Sequence, residues 1–160
     1  MAHITIEYMI MIPILIMQIF LFPLTASWLM DIWVDSRRAL TLQDAASHLG
    51  STIQQLYFSL NHETISAGTA TYLPGLPLYI DNLHYIGSAT LEAVVDPTSN
   101  SSKALELTLK LAETRTTITT SIILGPNVLW QESSFMSNST HACVSAEKFL
   151  NGTICLYFGE

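Results

Sequence analysis

The chain has 160 residues, enough for one ordinary domain plus an anchor and too few for two sizeable cores. Hydrophobic residues make up 49% of it, charged residues 12%, and the formal net charge is −7. After residue 60 nine acidic side chains stand against four basic ones, with no basic stripe and no stacked aromatic motif, which excludes nucleic acid as a partner.

From Met9 to Met30 the sequence runs 22 residues without a charge, interrupted only by Pro13, Gln18, Pro23, Thr25 and Ser27. At about 1.5 Å per residue such a helix covers roughly 33 Å, enough for the roughly 30 Å hydrocarbon layer of a bilayer. The expectation is a membrane-spanning helix over about 9–30. Trp28 and Trp33 bracket its far edge, where amphipathic rings suit the headgroup layer. The segment lacks the basic start and short apolar core of a secretory signal, so cleavage after it is not expected.

Ala39, Leu42, Ala45, Ala46, Leu49, Ile53, Leu56 and Tyr57 then recur at three- and four-residue spacings, one apolar stripe on a continuing helix. The first region is therefore 1–60, a hydrophobic and then amphipathic helix. A helix from Ile4 to about Phe58 spans roughly 80 Å, with kinks expected at Pro13 and Pro23 and a weak point at Gly50.

Gly68, Pro74, Gly75 and Pro77 break the helical period, and 61–160 reads as a β-domain. Runs rich in Val, Ile, Thr and Tyr, namely GTATYL, LYIDNLHYI, ATLEAVV, ALELTLKL, TTITTSIIL, NVLWQESSF, ACVSAEKF and TICLYF, alternate with turn residues. Asn151-Gly152 favours a two-residue type I′ hairpin. About eight strands at this spacing imply an antiparallel, Ig-like sandwich. The fold class is α+β, a long N-terminal helix followed by a β-sandwich head.

Glu7 sits two residues before the apolar run, where an ionised group is costly unless it is at an edge, paired or functional. The stretch AHITIEYMIMIPIL, a spanning helix, an amphipathic extension and a small all-β head together resemble the archaeal type IV pilin-like proteins with class III signal peptides. In that family a short leader ends in a small residue, and the mature chain starts with a pattern like Gln-x-Ser-x-Glu-Phe/Tyr. His3-Ile4-Thr5-Ile6-Glu7-Tyr8 matches at the Thr, Glu and aromatic positions, and His3 stands where the family has Gln. The resemblance implies cleavage by a prepilin peptidase between Ala2 and His3, which would make Glu7 the fifth mature residue. It also implies a structural subunit of a surface filament that assembles through its helix with copies of itself or other pilins. Bundling would then draw on Glu7 and on the apolar face up to about Leu56. Physically, Glu7 can compensate a neighbour's new α-amino group, or it can be an interfacial acid favoured by the helix dipole. The rival reading from the residues is a monomeric membrane-tethered head that binds a cell-envelope component, or an accessory part of a filament machinery.

Arg37 and Arg38 follow the apolar run and no Lys or Arg precedes it, so charge bias alone places the head inside the cell. Three N-glycosylation sequons in expected turns, at Asn100, Asn138 and Asn151, favour the outside. The expected location is the membrane with the C-terminal domain outside, or an extracellular filament. Cys143 and Cys155 flank the last hairpin, and either bridge across it or remain two thiols; a two-residue turn would set Cys155 opposite Lys148. His3, His48, His62, His84 and His141 show no ligand spacing, and no catalytic motif is present, so no enzyme activity, metal or cofactor is expected.

Overall fold

The computed structural model describes residues 2–93, 102–139 and 142–159, with the side chains of 2–8 and 93 left outside the description. One helix, α1 (Ala2–Leu60), precedes eight strands among the described residues: β1 (Gly68–Tyr72), β2 (Tyr85–Ala93), β3 (Lys103–Leu111), β4 (Thr117–Leu124), β5 (Val128–Trp130), β6 (Ser134–Met136), β7 (Cys143–Lys148) and β8 (Ile154–Gly159). The fold is α+β, as the sequence implies. The strands form two four-stranded sheets, β1-β7-β8-β5 and β4-β3-β2-β6. Every pairing is antiparallel except β5 with β8, which is parallel. The chain divides after Arg37 into two compact units.

In the first unit every residue from Met9 to Trp33 is exposed. Pro13 and Pro23 lie inside α1, and each lacks the amide that would bond the carbonyl four residues earlier. Thr25 Oγ1 donates back to the carbonyls of Leu21 (3.1 Å) and Phe22 (2.9 Å). By length and composition, α1 is the one described helix able to cross a membrane.

In the second unit Leu42, Ala45, Ala46, Leu49, Ile53, Tyr57 and Leu60 of α1 are buried, and they join one core with the strands. The helix continues through Gly50, and a Cβ added there would lie 3.2 Å from the Ile122 side chain, so glycine lets α1 settle closely on β4. The stripe expected to serve bundling therefore packs within its own head. The physical reason is proximity: a tethered apolar face reaches the sheet at a far higher effective concentration than a second chain can.

The leucine alternation of β3 puts Leu105, Leu107, Leu109 and Leu111 inside. In register with them on the same face stand Tyr85, Gly87 and Ala89 of β2 and Ile122 of β4. The other sheet contributes Val144, Ala146, Ile154, Leu156, Phe158 and Val128. Phe135 of β6 meets Phe158 of β8 edge-on at 4.8 Å, so the aromatic contact joins the two sheets.

Three local expectations are corrected. LYIDNLHYI is not one strand: Ile80 and Leu83 exchange hydrogen bonds of 2.9 and 3.0 Å around Asp81 and Asn82, both at positive φ (48° and 64°). That is the mirror-image two-residue turn, which Asp and Asn tolerate, and β2 starts only at Tyr85. NVLWQESSF divides into β5 and β6, which belong to different sheets. Ser133 fixes the crossing, accepting from the Phe158 amide (2.8 Å) and donating to the Gln131 carbonyl (2.9 Å). The last hairpin closes through Gly152 N–H to Phe149 O (3.0 Å) and Phe149 N–H to Thr153 O (2.9 Å), with Gly152 at φ 81°. This is a three-residue loop with a glycine bulge rather than a two-residue turn.

Gly87 is a packing requirement, because a Cβ there would collide with the Phe135 ring and lie 2.9 Å from Leu109 Cδ2. The ring cannot swing clear without leaving its edge contacts with Tyr85 and Phe158. Gly87→Ala is expected to destabilise the head by about 1–3 kcal/mol, the usual cost of overpacking. Gly68→Ala, which meets nothing within 4 Å, should stay near wild type. Thermal melts of the two variants check this.

Candidate functional site

The exposed apolar surface of α1 and the anchoring of its second half in the head are the features from which a function must be built. Among the described residues, side-chain hydrogen bonds from Arg38, Gln54 and Tyr57 tie that second half to the strands and loops. Arg38 Nε donates to Asp81 Oδ2 at 3.1 Å, with both side chains partly exposed. Gln54 Nε2 donates to the Ile123 carbonyl at 3.4 Å. Tyr57 donates its hydroxyl to Asn127 Oδ1 at 2.5 Å, and Asn127 Nδ2 donates in turn to Asn61 Oδ1 (2.8 Å) and the Gly152 carbonyl (2.9 Å). Asn127 thus holds the helix end, the β4–β5 turn and the last hairpin together. Lys148 Nζ donates to the carbonyls of His62 and Ile65, both at 2.9 Å, which secures the chain as it leaves the helix.

Sequence reasoning gave Asp81 and Asn127 no role. Asp81 lay inside an expected strand and Asn127 in an expected turn, and neither carries a local pattern that marks a partner 43 or 70 residues away.

Glu7 and the candidate cleavage residues Ala2 and His3 lie within the backbone of α1, and their side chains are outside the described residues. Of the sequons, Asn138 and Asn151 are exposed and in turns, whereas Asn100 is outside the described residues. Asn151 Oδ1 accepts from the Thr153 amide at 3.0 Å, so side chain and backbone form a turn across the sequon itself.

The candidate bridge is not formed, and both cysteines are free thiols. Cys143 pairs with Gly159 and Cys155 with Glu147, four positions apart along β8. Four residues of strand amount to about 13 Å, beyond the roughly 7 Å between Cα atoms that a disulfide spans. The bulged loop also moves the expected register by one residue, putting Glu147 rather than Lys148 opposite Cys155. Burial and then the Glu147 carboxylate push the Cys155 thiol up, so it stays protonated and a poor nucleophile.

Burial likewise pushes the Tyr85 phenol up to about 12, and its hydroxyl donates to the Pro77 carbonyl at 2.9 Å. Tyr57 is raised by burial, partly offset by the Gly125 backbone. Both phenols act as fixed hydrogen-bond donors. His62 bonds its neighbour Thr64 at 2.8 Å, His48 is exposed, and His141 is outside the described residues. Among the described residues no group of three or more His, Cys, Asp or Glu could hold a metal ion. Compared with known protein families, with curated proteins and with solved structures, the chain gives no match.

Proposed function

We propose that this chain is a pilin-like structural subunit of an archaeal type IV pilus-type surface filament, which assembles through its N-terminal hydrophobic helix and displays the β-sandwich head. The observation that carries the proposal is the contrast within one helix. Met9–Met30 carries no charge and is exposed throughout, whereas the apolar stripe from Leu42 to Leu60 is built into the head. A surface of that size needs lipid or other helices around it, and a subunit that moves from membrane to filament uses both in turn. A prepilin peptidase acting between Ala2 and His3 would free the amino group that Glu7 compensates in a neighbour. No catalytic role, cofactor or nucleic-acid partner is part of this proposal.

Charge bias at Arg37 and Arg38 argued against the outward orientation. Arg38 is engaged by Asp81, and the Arg37 guanidinium sits 5.8 Å from the Trp33 ring centre. Both charges therefore have local uses at the helix, which lessens their weight as a signal for the cytoplasmic side. Asn138 and Asn151, exposed in turns, suit a glycosylated surface.

One observation favours the second reading, a monomeric membrane-tethered head that binds a cell-envelope component. The stripe beyond Leu42 is used internally, which leaves the helix little more apolar length than a bilayer requires. Shearing surface material from cells and weighing the protein by mass spectrometry separates the two. A chain starting at His3 in the sheared fraction is the expected result. An uncut chain confined to the membrane fraction overturns the filament.

A further inference from the structure

Gln18 is the only polar side chain between Met9 and Leu24, and it makes no hydrogen bond within the chain among the described residues. It lines a notch in α1 with Leu15, Ile19, Leu21, Phe22 and Thr25. At about 100° per residue, Leu15, Gln18, Phe22 and Thr25 fall on one face, and Pro13 and Pro23 lie about 140° away from Gln18 on either side. A proline ring crowds the preceding turn on its own side, and the notch lies on the side of the helix away from both rings. Thr25 is already bonded to its own helix at the Leu21 and Phe22 carbonyls. Among the described residues, Gln18 is the polar side chain on this face that makes no hydrogen bond of its own.

We infer that α1 pairs with α1 of a second copy across this face, with the two Gln18 amides bonded to each other in the hydrocarbon. The inference rests on the membrane reading given above and adds the contact face and its polar lock. A primary amide holds a donor and an acceptor, so it is its own complement, and two parallel copies bring Gln18 to the same depth. In lipid the alternative for each amide is to stay without a partner. The bulky Leu15 and Phe22 flank the amide on the same face and exclude lipid from the bond.

Phe22 and Phe20 make the test conservative, since Phe22 lies on the Gln18 face and Phe20 nearly opposite. The full chain is placed in phosphatidylcholine vesicles with photoreactive benzoylphenylalanine in place of one or the other. Illumination should give a cross-linked dimer from position 22 and little from position 20. Adding Gln18→Leu should weaken pairing about 3- to 30-fold, the range for one interhelical hydrogen bond, while Gln18→Asn restores part of it. Equal cross-linking from both positions, or full pairing by the Gln18→Leu chain, overturns the proposal and leaves membrane insertion intact. Release of the wild-type chain from the vesicles by alkaline carbonate overturns the membrane reading with it.

Discussion

Leu49→Ala is expected to cost the head about 2–5 kcal/mol, the range for truncating a buried leucine. Leu49 is fully buried, and it borders a small gap together with Phe135 of one sheet and Val144 and Phe158 of the other. The surrounding side chains are fixed by aromatic edge contacts and cannot collapse into the space left behind. Leu29→Ala, at a position 60% exposed, should leave head stability within about 0.5 kcal/mol of wild type. Urea unfolding of the full chain in detergent, read as a shift in midpoint at constant slope, measures both. Equal midpoints for wild type and Leu49→Ala would mean that the stripe from Leu42 onward faces another molecule, as the sequence alone suggested.

The second large effect is expected at Glu7, and it bears on assembly rather than folding. If Glu7 pairs with a neighbour's α-amino group in the bundle, Glu7→Gln keeps size and polarity but leaves a buried ammonium without its counter-charge. Breaking a buried pair from one side costs about 3–5 kcal/mol, enough to abolish filaments while the head stays folded. An interfacial acid that serves only the helix dipole would cost about 0.3–1 kcal/mol and leave assembly nearly intact. The quantity to measure is sheared filament from cells expressing each variant, divided by the membrane pool of the same protein. Wild-type yield from Glu7→Gln would remove the pairing role. Because pairing through Gln18 needs only the bilayer, its loss and the loss of Glu7 are expected to be distinguishable in vesicles, where no filament machinery is present.

What could be read in advance followed the strength of local patterns. The Leu105–Leu111 alternation and the three- and four-residue spacing from Leu42 to Tyr57 each have one physical solution, a half-buried strand and a one-faced helix, and both appear. What that helix face packs against was not legible, because an apolar stripe specifies burial and says nothing of the partner. Residues 78–86 misled because apolar residues stand close on both sides of the turn, at Ile80 and Leu83; the Asp81-Asn82 pair was the available signal. Asn151-Gly152 identified a hairpin but not its length, since the same glycine suits a two-residue turn or a bulge, and that one-residue difference moved Cys155 from one partner to the next. The candidate site was legible as composition, in the uncharged run and in Glu7. Its contacts at Asp81 and Asn127, 43 and 70 residues from their partners, were beyond local reading.

The order of strands in the β1-β7-β8-β5 sheet has a consequence for the birth of the protein. β8, the last of the described strands, occupies an interior position between β7 and β5, and among the described residues β5 pairs with β8 alone. While the chain is emerging from the ribosome or a translocation channel, β5 has no partner and β7 can pair only with β1, some 75 residues upstream. Half of the head must wait for its final segment, with Val128, Val144 and Ala146 unprotected in the meantime. A growing chain of this design needs a holding partner or a fast release step, and loss of the final strand alone would undo a sheet whose other three members were already made.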